Sequence, residues 1–353
     1  MLWRMTGVTR RSALGSLAVG MVGASAALTR GNAAPGQASR VPPRPGTVQT
    51  VTGAVSPSAL GITLSHEHLF SRFGEPPAEE AVYPEAHLLD MVRPYLIYLR
   101  ALGVQTIVDC TAAWFGRAPQ LLLELSRSSG VQILTNTGLY GAADDRYVPA
   151  YATSASADDL AARWAREYRE GIGDTGIRPG FIKIGVDAGP LSALDRTLVV
   201  AAARTHRQTG LTVACHTGNS AESVAEQLGI LRVEGVDASA WIWVHANSCT
   251  EDAALWRAAE TGAWLGFDGL SATTYDRHLT LVREAKARGL LRRILLSHDG
   301  NAFPAPGRLP RPFDLLLTSF RFRLMDEGFT RDDVEQLLIR NPRDAWARTN
   351  GVG

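Results

Sequence analysis

The chain is almost without lysine. Of its 36 Lys plus Arg residues only Lys183 and Lys286 are lysine, leaving 34 arginines. Arginine supplies the general positive charge, so a lysine marks a position where a guanidinium would not serve. Cysteine is scarce as well. Cys110, Cys215 and Cys249 are too few for a disulfide framework, and each sits at or just past an apolar run, where a buried free thiol is expected. Charge imbalance is missing: a net charge of +1 leaves no electrostatic footprint for nucleic acid or an anionic membrane. No internal apolar run reaches the roughly 18 residues that a membrane span needs. What is present, 45% hydrophobic and 20% charged residues over 353 positions, is ordinary globular composition, enough for one large domain or two small ones.

The N-terminus differs in kind. Arg10-Arg11-Ser12 precedes a run of small and apolar residues from Ala13 to Leu28, followed by Thr29-Arg30-Gly31-Asn32-Ala33-Ala34. This is the layout of a bacterial export signal of the twin-arginine type over residues 1–34, with cleavage after Ala26 or Ala34. It predicts a periplasmic, envelope or secreted location, by a route that carries folded proteins. Residues 35–47, rich in Pro, Gly, Ser and Arg, read as a linker, and 48–350 as the folded domain.

From residue 60 onward short apolar runs alternate with longer amphipathic stretches. Strands are expected at 62–66, 104–110, 131–137, 180–186, 211–216, 241–245, 263–267 and 293–298. Helices are expected between them, many ending at a glycine such as Gly130, Gly171 or Gly210. Two more, about 312–327 and 331–340, close the chain. Eight β-then-α units in about 300 residues predict an α/β fold, a (β/α)8 TIM barrel with C-terminal helices. An open doubly wound sheet would place a Gly-rich phosphate turn after the first strand, and Leu64-Ser65-His66-Glu67-His68 stands there instead.

In such a barrel the chemistry sits where strands end. Those ends carry His66 and His68, Lys183, His216, His245 and His298-Asp299. The others end at Cys110, Thr137 and Asp268. His87, His206 and His278 fall on helices and read as surface or packing residues. Lys183 stands inside the apolar strand Phe181-Ile182-Lys183-Ile184. An unpaired ammonium is costly to bury, and burial favours the neutral, nucleophilic amine. Such an amine can form a Schiff base or take up carbon dioxide as a carbamate that bridges two metals. A lysine paired with Asp187 or Asp299 is the plainer alternative. With histidines at neighbouring strand ends the metal-bridge reading is favoured. His66, His68 and Asp299 would then bind one cation and His216 and His245 the other, with Lys183 and a hydroxide between. Imidazole and carboxylate suit zinc first, with cobalt or manganese as alternatives. A close cation pair activates water and clamps an electrophile, and Asp299 can accept the proton.

Gly61-x-Thr63-Leu64-x-His66-Glu67-His68 resembles the signature of the phosphotriesterase family, within the amidohydrolase superfamily. The resemblance continues through Val108-Asp109, Thr137-Gly138-Leu139-Tyr140, Ile182-Lys183, Cys215-His216-Thr217, Val244-His245, Ser297-His298-Asp299 and Asn341-Pro342, over about residues 48–345. It implies a binuclear metal hydrolase, often a homodimer, with Lys183 carboxylated and Asp299 both ligand and proton acceptor. It implies a small-molecule ester substrate: a phosphotriester, a lactone or a carboxylic ester. Tyr140 matches a tyrosine of the lactonase-type members. Leu265-Gly266-Phe267-Asp268-Gly269 departs from both types, placing glycine where lactonases carry arginine and triesterases histidine. Trp114, Phe115, Tyr140, Phe267, Tyr275 and Phe303 are the expected pocket wall. The competing readings are a lactonase with only promiscuous triesterase activity, a non-catalytic metal-binding barrel, and a Schiff-base lyase acting through Lys183.

Overall fold

The structure is a computed structural model and describes residues 46–347 except Glu80. The expected export signal and all but two residues of the linker lie outside the described residues. A short hairpin, Val48–Thr50 paired antiparallel with Gly53–Val55, precedes the first barrel strand.

The eight barrel strands are β1 (Ile62–His68), β2 (Val104–Asp109), β3 (Gln132–Leu134, resuming at Asn136–Thr137), β4 (Phe181–Gly185), β5 (Val213–His216), β6 (Trp241–Val244), β7 (Trp264–Phe267) and β8 (Ile294–Leu296, resuming at Gly300–Asn301). Every pairing among them is parallel, and each strand lies beside its sequence neighbour. The resumed end of β8 pairs with β1, Gly300 beside Glu67 and Asn301 beside His68. The hydrogen-bond ladder is broken at Thr135 and at Ser297–Asp299, so it forms a six-stranded and a four-stranded sheet, in the strand order of a (β/α)8 barrel. Helices follow the strands: α1 (Glu85–Ala101), α2 (Pro119–Ser129), α3 (Ala157–Glu170), α4 (Ala193–Thr209), α5 (Ala221–Val233), α6 (Asp252–Glu260) and α7 (Tyr275–Ala287). Gly130 and Gly210 end α2 and α4 in the left-handed conformation, as the helix-end glycines predict. The last expected helix does not stop before Pro342. A π-helical turn at Gln336–Arg340 leads into Asn341–Trp346, so helical backbone runs on through Pro342.

Strand parity sorts the core. One cluster takes Val108, Leu134, Phe181, Ala214, Ile242, Trp264 and Leu295 from successive strands and adds Trp346. These are the inward positions, at two-residue spacing from the residues that reach the site. The alternate residues, such as Ile107, Ile133, Ile182, Val213, Trp243, Leu265 and Leu296, join the larger cluster between strands and helices. Trp346 closes the barrel interior at the end away from the site: its ring packs on Phe181 at 5.0 Å and the neighbouring Ala345 carbonyl accepts from Thr212 Oγ1 at 2.6 Å. Among the described residues no helix is long and apolar enough to cross a membrane.

Candidate metal centre

Inward parity delivers Lys183 from β4 and His216 from β5 to one end of the barrel. A register shift between Leu64 and Glu67, after Leu64 has packed outward, turns His66 and His68 of β1 to the same place. The four line a single cavity of about 530 Å³ with His245 and Asp299. His245 and Asp299 arrive differently. Both lie just past their strands with positive φ, 64° and 51°, a left-handed backbone that costs a non-glycine residue about 1–2 kcal/mol. His245 would point outward if β6 simply continued, and the turn brings it in. Asp268 holds that turn, accepting the His245 backbone N–H at 3.0 Å.

Asp268 also fixes two imidazoles. Its Oδ2 lies 2.8 Å from His66 Nδ1 and its Oδ1 2.8 Å from His245 Nδ1. Each ring therefore presents Nε2 to the cavity, the usual device by which an outer carboxylate aims a ligand histidine. Burial would raise the Asp268 carboxyl, but His245 and His66 hold it well below the ordinary carboxylate range. His245 is raised, the charge and hydrogen bond of Asp268 outweighing burial. His68 is aimed by Thr111, whose hydroxyl donates to the Phe70 carbonyl and so must accept from His68 Nδ1 at 2.8 Å.

The donor set fits a cation. Burial, and next the charge of Lys183, push His66 down to about 4, so near neutral pH its Nε2 carries a lone pair and no proton. That atom is buried with no hydrogen-bond partner among the described residues, and it faces Asp299 Oδ1 at 3.4 Å, with His68 Nε2 on the same oxygen at 3.1 Å. Acceptors converging this closely need a positive species between them. Burial, and next the neighbouring His245, hold His216 well below its ordinary value, and the two rings lie 4.7 Å apart. Lys183 is 1% exposed. Among the described residues it forms no ion pair within 4.0 Å, because Asp187 is engaged by the Ala143 and Asp144 backbone N–H groups and Asp299 by the histidines and Arg311. Gly138 lets β3 pass close by it: a Cβ there would come within 2.2 Å of the Lys183 carbonyl oxygen, and its φ is +114°.

Glu67, between the two histidines, faces the other way. It is fully buried and accepts from Ser297 Oγ at 2.7 Å, His298 N and Nδ1 at 3.1 and 2.7 Å, and Gly300 N at 2.7 Å. It thereby grips the chain on both sides of Asp299. His298 is a structural link, its Nε2 accepting from Leu316 N at 3.0 Å.

The expected aromatic wall is corrected in part. Tyr140 and Phe115 line the cavity, joined by Phe73. Phe267 does not: it is fully buried on the outward face of β7, one residue out of parity with Asp268. Trp114 lines a separate cavity of about 560 Å³ with Tyr151 and Trp164. Tyr275 sits on α7 with its hydroxyl on Ser319 Oγ and its ring against Phe320. Phe303 packs beside His87. His278, on α7, is fully buried, a packing residue. The strand-end reading passed over Asp268 and Glu67, and Arg308 and Arg311, which line the mouth, come from the loop after β8. The parity of β7 was the available signal for Asp268.

The phosphotriesterase family model matches residues 46–346. The chain belongs to the phosphotriesterase family. It is 29% identical to the phosphotriesterase homology protein of Escherichia coli (strain K12), over 80% of this chain and 96% of that one. It is 27% identical to the human N-acetyltaurine hydrolase, over 84% of this chain and 97% of that one. A solved structure of a mutant PTE-like lactonase from Deinococcus radiodurans shares 28% identity at a TM-score of 0.76, covering 85% of this chain and 100% of that one. Membership makes the chain a metal-dependent hydrolase of the phosphotriesterase type with a TIM-barrel fold.

Proposed function

We propose that this chain hydrolyses an ester-type or amide bond with two divalent cations, zinc first. His66, His68 and Asp299 would hold one, His216 and His245 the other, with carboxylated Lys183 as a further donor. The observation that carries this is the convergence of four imidazoles, Lys183 and Asp299 on one cavity, with the buried His66 Nε2 without a partner among the described residues. Bound there, such cations would lower the pKa of a water toward neutrality and polarise the oxygen of a carbonyl or phosphoryl group. The rest falls to the protein. Lys183, buried and unpaired among the described residues, gains an anionic oxygen donor when its ammonium gives up one proton, the neutral Nζ adds to carbon dioxide and a second proton leaves to give the carbamate, which also relieves a buried positive charge. Asp268 keeps Nε2 of two imidazoles turned to the cavity. Asp299, its Oδ1 among the imidazoles and its side chain about a quarter exposed, receives the proton of the attacking water and passes it to the leaving group. Burial raises the Tyr140 phenol well above its ordinary value, so it stays protonated and can donate to substrate beside His216, 5.1 Å between rings.

The sequence pointed to esters. The scope proposed here also takes in amides, because a relative is named for hydrolysing N-acetyltaurine, an amide. Export by the twin-arginine route and assembly as a homodimer are part of the same proposal. The test is metal analysis of the purified protein together with a turnover screen over phosphotriesters, lactones, aryl esters and N-acyl amines. About two metal ions per chain and metal-dependent turnover lost in Asp299→Asn support it. A protein that binds no divalent metal, or whose turnover survives a chelator, refutes it.

A further inference from the structure

Resting on that hydrolase reading, we infer that the substrate carries an oxyanion group away from the scissile bond, and that Arg308 and Arg311 receive it at the cavity mouth. Asp299 is the one carboxylate side chain among the lining residues, and with Lys183 carboxylated the lining side chains that stay permanently cationic are Arg308 and Arg311. Lys183 is deep in the barrel, so the positive charge at the mouth is that of the two arginines.

Their placement is built. Arg311 exchanges two backbone hydrogen bonds with Asn301, both 2.8 Å, and Asn301 is paired with His68 on β1. The two segments run close together: a Cβ on Gly300 would meet Phe313 at 2.5 Å and the Arg311 carbonyl at 2.9 Å. Arg311 is thus fastened to the strand that carries the histidines, with Nη2 3.4 Å from Asp299 Oδ2. Its side chain is 60% exposed, and so open a pair is weak and readily exchanged for an incoming oxyanion. Arg308 has its guanidinium 6.0 Å from the Phe73 ring centre, and no carboxylate among the described residues pairs with it. A guanidinium laid on an aromatic face keeps its N–H edge free for a two-point contact with a carboxylate, sulfonate or phosphate.

Neutral phosphotriesters and unsubstituted lactones leave both guanidinium groups without use. The substrate class favoured by this mouth is an acyl ester or amide whose far end is a fixed anion. The shared chemistry is the oxyanion, and the assay separates its forms.

The test compares kcat/KM of the metal-loaded protein for 4-carboxyphenyl, 4-sulfophenyl and 4-phosphonooxyphenyl acetate with that for the neutral methyl ester of 4-acetoxybenzoic acid. The expected result is a preference of about tenfold or more for at least one anionic ester, shrinking with added salt and falling to near parity in Arg308→Gln/Arg311→Gln. A merely structural role for the arginines would lower all four values together. Equal or better turnover of the neutral ester, or a preference unchanged in the double variant, overturns the inference and leaves the hydrolase reading standing. If none of these esters is turned over, the hydrolase reading is decided by its own metal and N-acyl amine tests, and the mouth is judged by binding. N-acetyl-β-alanine titrated into metal-loaded Asp299→Asn protein should bind about tenfold more tightly than neutral N-propylacetamide, and lose that margin in the arginine double variant. Equal affinities overturn the inference.

Discussion

Asp268→Asn is the sharpest probe of how the centre is organised. Asp268 is 2% exposed, and its two oxygens each meet one imidazole Nδ1 at 2.8 Å, His66 on Oδ2 and His245 on Oδ1. The His245 backbone N–H also contacts both oxygens, at 3.0 and 3.2 Å. Asparagine has the same shape but a single acceptor oxygen. Its amide NH₂ would face one of the Nδ1–H groups, donor against donor. That ring must either turn away or move its proton to Nε2, and in both cases the lone pair facing the cavity is lost. A charge-assisted hydrogen bond lost in a buried place costs about 1.5–3 kcal/mol, or roughly ten- to a hundredfold in metal affinity, the range usual for an outer partner of a ligand histidine. Because His66 and His245 fall in different ligand groups, the cation whose imidazole faces the amide NH₂ should weaken most. The assay is a zinc titration of metal-free protein against a chromophoric chelator, alongside thermal unfolding with and without zinc. The variant should fold, bind zinc about ten- to a hundredfold more weakly, and lose most of the metal-dependent rise in Tm. Two zinc ions bound with the parent's affinity would refute the claim that this carboxylate sets the two tautomers.

Four further outcomes follow from the same geometry. Lys183→Ala should abolish turnover, with partial recovery on adding acetate or propionate at high concentration; recovery by neutral amides instead would argue against a carboxylate donor at that point. Glu67→Gln places an amide against donors from Ser297, His298 and Gly300 and should cost about 2–4 kcal/mol in urea unfolding; a change under half a kcal/mol would deny its grip on the Asp299 segment. Trp346→Ala empties the closed end of the barrel and should cost about 3–5 kcal/mol while leaving zinc stoichiometry intact, so a lost metal site with unchanged stability would contradict it. Burial pushes His66 from 6.5 to about 4 and lowers His206, His216 and His278 as well. These four imidazoles bind fewer protons in the folded than in the unfolded chain between those values, while Asp109, raised by burial to about 6, and His245, raised by Asp268, act the other way. With four groups against two, metal-free stability is greatest above about pH 6.5 and falls as pH drops toward 4. His66 alone accounts for about 3 kcal/mol of this. Urea midpoints at pH 7.5, 6.0 and 4.5 that stayed level or rose with acid would refute it.

The fold was legible because all eight strands are short apolar runs set between long amphipathic helices, and the strand-end rule put His66, His68, Lys183, His216, His245 and Asp299 into one cavity. Finer orientation was legible only where the strand continues regularly. Two-residue parity from Trp264 points Gly266 and Asp268 inward and Phe267 outward, which would have exchanged a supposed pocket residue for the carboxylate that organises the site. His245 defies parity, since its direction comes from a left-handed backbone held by a residue 23 positions away. The Glu67 contacts span some 230 positions, and the mouth arginines lie on a loop whose course depends on pairing with Asn301. No local pattern carries such information, because the partners are brought together by barrel closure alone.

That closure has a consequence for how the protein is made. The first histidines and the carboxylate between them and the solvent are separated by 233 positions, 66 to 299, and the strands bearing them are the first and last of the ring. A growing chain that has produced His66, His68, Lys183, His216 and His245 still lacks Asp299, the segment Glu67 grips, and the tryptophan that seals the far end. Half-made chains would offer scattered imidazoles to any passing metal, with nothing to choose among them. The complete chain presents its ligands all at once, so selection of the metal belongs to the moment the barrel shuts, in whichever compartment that happens.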